Sequence, residues 1–132
     1  MKNNLEKGKN MKIIAVVNQK GGVGKTTSVI NMASKLSEQD RVLGVDLDQQ
    51  ANATGNCGFD EDELEFTLFN LLSNKEIKAE ECIIKTSKGF DLIAGSIELA
   101  NITTILASSP NRERIMAKKF KSIMELYDYI LL

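Results

Sequence analysis

An apolar stretch, Ile13-Ile14-Ala15-Val16-Val17, leads into a glycine-rich run, Gln19-Lys20-Gly21-Gly22-Val23-Gly24-Lys25-Thr26-Thr27, and helix-compatible sequence follows from Ser28 to Leu36. Strand, glycine turn and helix in this order leave few folds open. Ile13–Val17 is apolar throughout rather than alternating, so it reads as a short strand buried on both faces. Glycines let backbone N–H groups close on an anion, and a helix N-terminus adds positive potential. The turn therefore reads as a phosphate cradle whose binding residues are Gly21, Gly22, Val23, Gly24, Lys25, Thr26 and Thr27. Lys25 is placed to reach terminal phosphates, and the Thr26 hydroxyl to ligate Mg²⁺. A glycine turn of purely structural use gives no packing reason for that lysine and threonine to follow.

The rest of the chain extends the same pattern. Thr26–Ser37 reads as a helix with Val29, Ile30, Ala33 and Leu36 on one stripe. Arg41–Leu47 reads as a second strand, which makes residues 12–48 a βαβ unit with a right-handed crossover. Residues 49–63 read as a loop. Leu64–Leu72 reads as a short helix, with the acidic run Asp60–Glu63 suiting its N-terminus. Glu81–Lys85 reads as an edge segment, Phe90–Ala94 as a strand and Ile97–Leu106 as a helix. Ser109 and Pro110 suit the cap and first turn of a helix running to about Leu126, with Ile115, Met116, Phe120, Ile123 and Met124 inward. Tyr129–Leu132 reads as a last buried strand. Alternating strands and helices predict an α/β fold, a parallel sheet flanked by helices. Residues 11–132 carry this pattern. Residues 1–10 are polar and read as disordered, with either Met11 as the natural start or the first ten residues as an idle extension.

Composition narrows the function classes. Net charge is −1 over 132 residues, so the chain as a whole is no electrostatic nucleic-acid binder. Arg112, Arg114, Lys118, Lys119 and Lys121 form a local basic stretch, read as a solvated outer helix face in preference to a DNA-contact surface. There is no histidine, which removes histidine acid–base chemistry. Cys57 and Cys82 form no CxxC pair and read as reduced thiols of a cytoplasmic protein. No apolar run approaches the roughly 20 residues that span a bilayer, so no membrane is expected.

A second polar group lies at the end of the second strand, in Val45-Asp46-Leu47-Asp48-Gln49-Gln50-Ala51-Asn52-Ala53-Thr54. Ligands of open α/β sheets sit at the carboxyl ends of strands. Alone, Asp46 and Asp48 would read as solvated acids capping a strand end. Beside a phosphate-binding turn they read as carboxylates that hold Mg²⁺ or orient an attacking water.

The generic phosphate-binding pattern asks for glycine where this chain has Gln19, and has no lysine where this chain has Lys20. The run Lys20-Gly21-Gly22-Val23-Gly24-Lys25-Thr26 resembles the deviant Walker A box of the ParA/MinD family of P-loop ATPases. The aspartate segment resembles the family's A′ box. Asn18-Gln19, Asn31 and Tyr127–Leu132 look ParA-like rather than MinD-like. The resemblance implies a P-loop NTPase fold that binds ATP and Mg²⁺. It implies Lys20 as the catalytic lysine that reaches phosphate in a partner subunit, as an arginine finger does. It also implies Asp48 as the catalytic residue placing the hydrolytic water, with Thr26 and Asp46 at the metal. Two positions depart from the A′ pattern. Gln49 replaces the usual proline, whose fixed φ would stiffen the turn, and Ala51 stands where glycine is common.

The resemblance further implies a homodimer on ATP binding, a ParB-like partner and non-specific DNA binding by a full-length, nucleoid-associated relative. The role would be plasmid or chromosome partitioning. By the same resemblance residues 11–132 correspond to the N-terminal half of such a domain, stopping before the Walker B aspartate. Such a half is expected to leave Ile13–Val17 as an exposed edge and to be a weak ATPase or an inactive one. A MinD-like or other regulatory relative, and a remnant that binds nucleotide weakly or competes for dimerisation, are the alternatives.

Overall fold

The apolar segments pair side by side into one five-stranded sheet. In this computed structural model, residues 11–15, 25–107, 109 and 114–132 are described. The strands are β1 (Lys12–Ile14), β2 (Val42–Val45), β3 (Ile83–Lys85), β4 (Asp91–Ile93) and β5 (Tyr129–Leu131). Their order across the sheet is β1-β5-β2-β4-β3. The first four in that order run parallel, and β3 closes the far side antiparallel to β4. The α helices are α1 (Lys25–Leu36), α2 (Asn52–Asn56), α3 (Leu68–Ser73), α4 (Ala79–Cys82), α5 (Ile102–Leu106) and α6 (Ile115–Phe120).

Strand alternation sends successive side chains to opposite faces, and two cores follow from it. Leu43, Val45, Ile93 and Ile130 face a cluster with Leu68, Leu71, Phe120 and Ile123. Val42, Leu92 and Leu131 face a second cluster built on Ile30 and Ala33 of α1. The predicted stripe of α1 is the face it buries: Ile30 and Ala33 are buried, and Val29 and Leu36 pack against them.

Several boundaries differ from expectation. The segment 49–63 is not all loop, because it contains α2 and a 3-10 turn, Glu61–Glu63. The acidic run does not lead into the next helix. Asp60 caps the 3-10 turn by accepting from Asp62 N–H, and α3 starts only at Leu68. Its entry is set by Thr67, whose N–H and hydroxyl both donate to Asn70 Oδ1 at 2.8 and 3.1 Å. The helix read as Ile97–Leu106 divides into a 3-10 turn, Ile97–Asn101, and α5. The last helix ends at Phe120 and is followed by a 3-10 turn, Met124–Leu126. Pro110 and Arg112 lie outside the described residues.

The strand expected to be buried on both faces is an edge instead. Among the described residues β1 pairs with β5 alone, and Ile13 is 56% exposed. Val16 and Val17, the rest of the expected edge, lie outside the described residues.

Candidate functional site

The carboxyl ends of β2 and β4 lie side by side, with Val45 opposite Ile93 and Asp46 N–H donating to Ile93 C=O at 3.0 Å. Asp46 follows β2 and is buried. Its Oδ1 accepts from Asp48 N–H at 3.0 Å. Its Oδ2 accepts from both Thr54 N–H and the Thr54 hydroxyl, at 2.9 and 2.7 Å. A buried carboxylate needs this many donors to offset its desolvation.

Asp48 is half-buried and shapes the turn after the strand. Its C=O accepts from Ala51 N–H at 2.9 Å, and its Oδ1 accepts from Gln50 N–H at 2.9 Å. The Asn52 amide donates to Oδ2 at 2.7 Å. These bonds fix the turn without proline at Gln49. Ala51 completes it at φ 52°, ψ 40°, the left-handed region. Glycine reaches that region without the Cβ penalty, which explains why glycine suits this position.

Gly95 closes the site from β4. A Cβ there would lie 2.8 Å from Asp46 O, 2.9 Å from Asp46 Cγ and 3.0 Å from Asp48 O. Only glycine admits so close an approach to the aspartate turn. Next to it, Ser96 is 3% exposed and its hydroxyl has no partner.

The helix that follows the glycine-rich run, α1, packs against β2 and α2. Lys25 begins α1, Thr26 is half-buried and Thr27 is exposed in its first turn. Lys20, Gly21, Gly22, Val23 and Gly24 lie outside the described residues. The fold thus brings the start of α1 and the Asp46–Asp48 turn to neighbouring elements. Their side-chain donors, the Thr26 hydroxyl and two carboxylates, are hard oxygens, a set that fits Mg²⁺. Among the described residues no group of three His, Cys, Asp or Glu is placed to hold a metal ion alone. Magnesium needs none, because it keeps several waters and takes phosphate oxygens.

Sequence reading missed Gly95 and Ser96 as members of the site and gave Thr54 no role of its own. The available signal was a glycine and a serine directly after the strand Phe90–Ala94. The basic stretch divides. Arg114, Lys118 and Lys121 are exposed. Lys119 turns inward, donating to the C=O groups of Asn74 at 2.8 Å, Lys75 at 3.3 Å and Ile77 at 2.5 Å, just past α3. Among the described residues no helix is long and apolar enough to cross a membrane.

A family model described as an AAA domain matches residues 11–132. The sporulation initiation inhibitor protein Soj of Bacillus subtilis is 34% identical over 122 residues, covering 92% of this chain and 48% of that protein. Cobyrinic acid a,c-diamide synthase from Mycobacterium smegmatis, solved with bound ADP and magnesium, superposes with a TM-score of 0.86 at 32% identity, over 92% of this chain and 49% of that one. A plasmid partition protein from Borrelia burgdorferi superposes with a TM-score of 0.80 at 28% identity, over 92% and 55% respectively. The chain spans about half the length of the curated relatives it matches.

Proposed function

The chain belongs to the family of ParA- and Soj-type partitioning ATPases, and from that premise we propose that it is the nucleotide-binding part of an ATP-driven partition switch. The observation that carries this reading is the packing of α1, which bears Lys25 and Thr26, against the strand that ends in the Asp46–Asp48 turn. ADP and magnesium in a structural relative support ATP and Mg²⁺ as its ligands.

In this reading Gly21–Thr27 cradle the phosphates, with Lys25 pairing to the terminal ones. The Thr26 hydroxyl would hold Mg²⁺, and Asp46 would support that site from its buried position. Bound Mg²⁺ supplies charge neutralisation at the phosphates. Asp48 would accept a hydrogen bond from the attacking water and so orient it. Lys20 acts across a homodimer formed on ATP binding, stabilising charge in the partner's site. A ParB-like partner stimulates hydrolysis. Non-specific DNA binding and nucleoid association belong to the full-length form of this cytoplasmic switch.

Titration with a fluorescent ATP analogue, with and without Mg²⁺, tests the reading. Binding that requires Mg²⁺ and is lost in Lys25→Ala is expected. Equal binding by the Lys25→Ala chain would sink the phosphate-cradle assignment.

A further inference from the structure

Thr54 lies in α2, outside both the phosphate-binding run and the aspartate pair, yet it is 1% exposed and polar. Its hydroxyl has one hydrogen to donate and lone pairs to accept with. Gly95 N–H donates to Thr54 Oγ1 at 2.9 Å, so the hydroxyl accepts there. The Asp46 carboxylate can only accept, so the Thr54 hydrogen points to Asp46 Oδ2 at 2.7 Å. The far oxygen of the same carboxylate accepts from Asp48 N–H. A continuous path therefore runs from the exit of β4 through Thr54 and Asp46 to the backbone of Asp48.

We propose that Thr54 is a positioning residue for Asp48: its hydroxyl ties Gly95 to Asp46 and so sets the turn that presents the Asp48 carboxylate. Valine has nearly the same shape as threonine but can neither donate to Asp46 nor accept from Gly95. Serine can do both. The turn, and not only the site's stability, depends on that hydroxyl. The kinetic consequence rests on the ATPase reading, whereas the structural one does not.

Amide hydrogen exchange on the nucleotide-free 132-residue chain tests the structural arm. In Thr54→Val, exchange at Asp48 as well as at Gly95 is expected to quicken by about tenfold, and Thr54→Ser to restore both. Asp48 exchange at the wild-type rate in Thr54→Val, or no recovery in Thr54→Ser, overturns the proposal. If Thr54→Val does not fold, Thr54→Cys, with a weak donor, replaces it under the same criteria. The kinetic arm expects kcat to fall about tenfold in Thr54→Val with KM for ATP·Mg²⁺ unchanged; a change confined to KM also overturns it. A wild-type chain that binds no ATP defeats the ATPase reading, and the exchange arm then decides the role of Thr54 alone.

Discussion

The Tyr127 hydroxyl donates to Asp91 Oδ2 at 2.7 Å, joining the approach to β5 with the first residue of β4 across the intervening β2. Lys85 Nζ lies 3.0 Å from Asp91 Oδ1 and 3.1 Å from Oδ2, but the lysine is largely exposed. The two contacts differ in worth. A part-buried hydrogen bond to a carboxylate contributes more than a solvated ion pair. Tyr127→Phe should lower stability by about 1–2 kcal/mol, read from the urea midpoint. Lys85→Ala should change it by about 0.5 kcal/mol or less. Equal effects would contradict this ranking.

The same tyrosine gives a pH dependence with a definite sign. Burial, and then the hydrogen bond and charge of Asp91, push the Tyr127 phenol well above its ordinary value of 10.0. Burial likewise pushes the Cys82 thiol from 9.0 up to about 11. In each case the folded chain keeps a proton that the unfolded chain releases, so stability falls as pH rises. The contribution is complete at neutral pH. It should decline from about pH 9 as unfolded Cys82 ionises, and more steeply above about pH 10 as unfolded Tyr127 does. Urea midpoints from pH 7 to 11 should show both phases, with the second missing from Tyr127→Phe.

What the sequence showed best were features fixed by local spacing. The stripe Val29, Ile30, Ala33, Leu36 has a helical period, and α1 buries it. The strand candidates after residue 40 were visible as apolar runs, because strands of a covered sheet are apolar on both faces. What the sequence hid depends on partners distant along the chain. Asn52–Asn56 contains poor helix formers and reads as loop, but Asp46 holds the Thr54 N–H and the segment coils around that bond. Ile13 looks like core, and only the sheet order shows that no described strand pairs with one side of its strand. Lys119 sits in a basic stretch, and only the fold places backbone carbonyls against it. In the candidate site, Asp46 and Asp48 were legible from their place at a strand end. Gly95 was not, because its role is to leave room for the Asp46–Asp48 turn after a different strand, where a Cβ would come within 2.8 Å of Asp46 O.

Ala51 carries a testable strain. It is the non-glycine residue with positive φ among the described residues, and it is buried. The left-handed region costs a Cβ-bearing residue about 1–2 kcal/mol, while glycine adds about 0.5–1 kcal/mol of unfolded-state entropy to lose. The first effect is larger. Ala51→Gly should therefore stabilise the chain by about 0.5–1 kcal/mol, raising the thermal midpoint by several degrees. A lower midpoint would mean that the methyl group's packing outweighs the strain.

The side of β1 that no described strand pairs with predicts association. Among the described residues its backbone bonds only to β5 on one side, and Ile13 stands 56% exposed on it. An unpaired, apolar strand edge is a template for another strand. The chain should therefore form larger species with rising concentration, seen by size-exclusion chromatography with light scattering. Ile13→Lys places a charge on that edge without touching the buried clusters, so it should shift the population toward monomer while leaving the unfolding midpoint within about 0.5 kcal/mol. A wild-type chain that stays a monodisperse monomer and unfolds cooperatively at every concentration would show that this edge attracts no second strand.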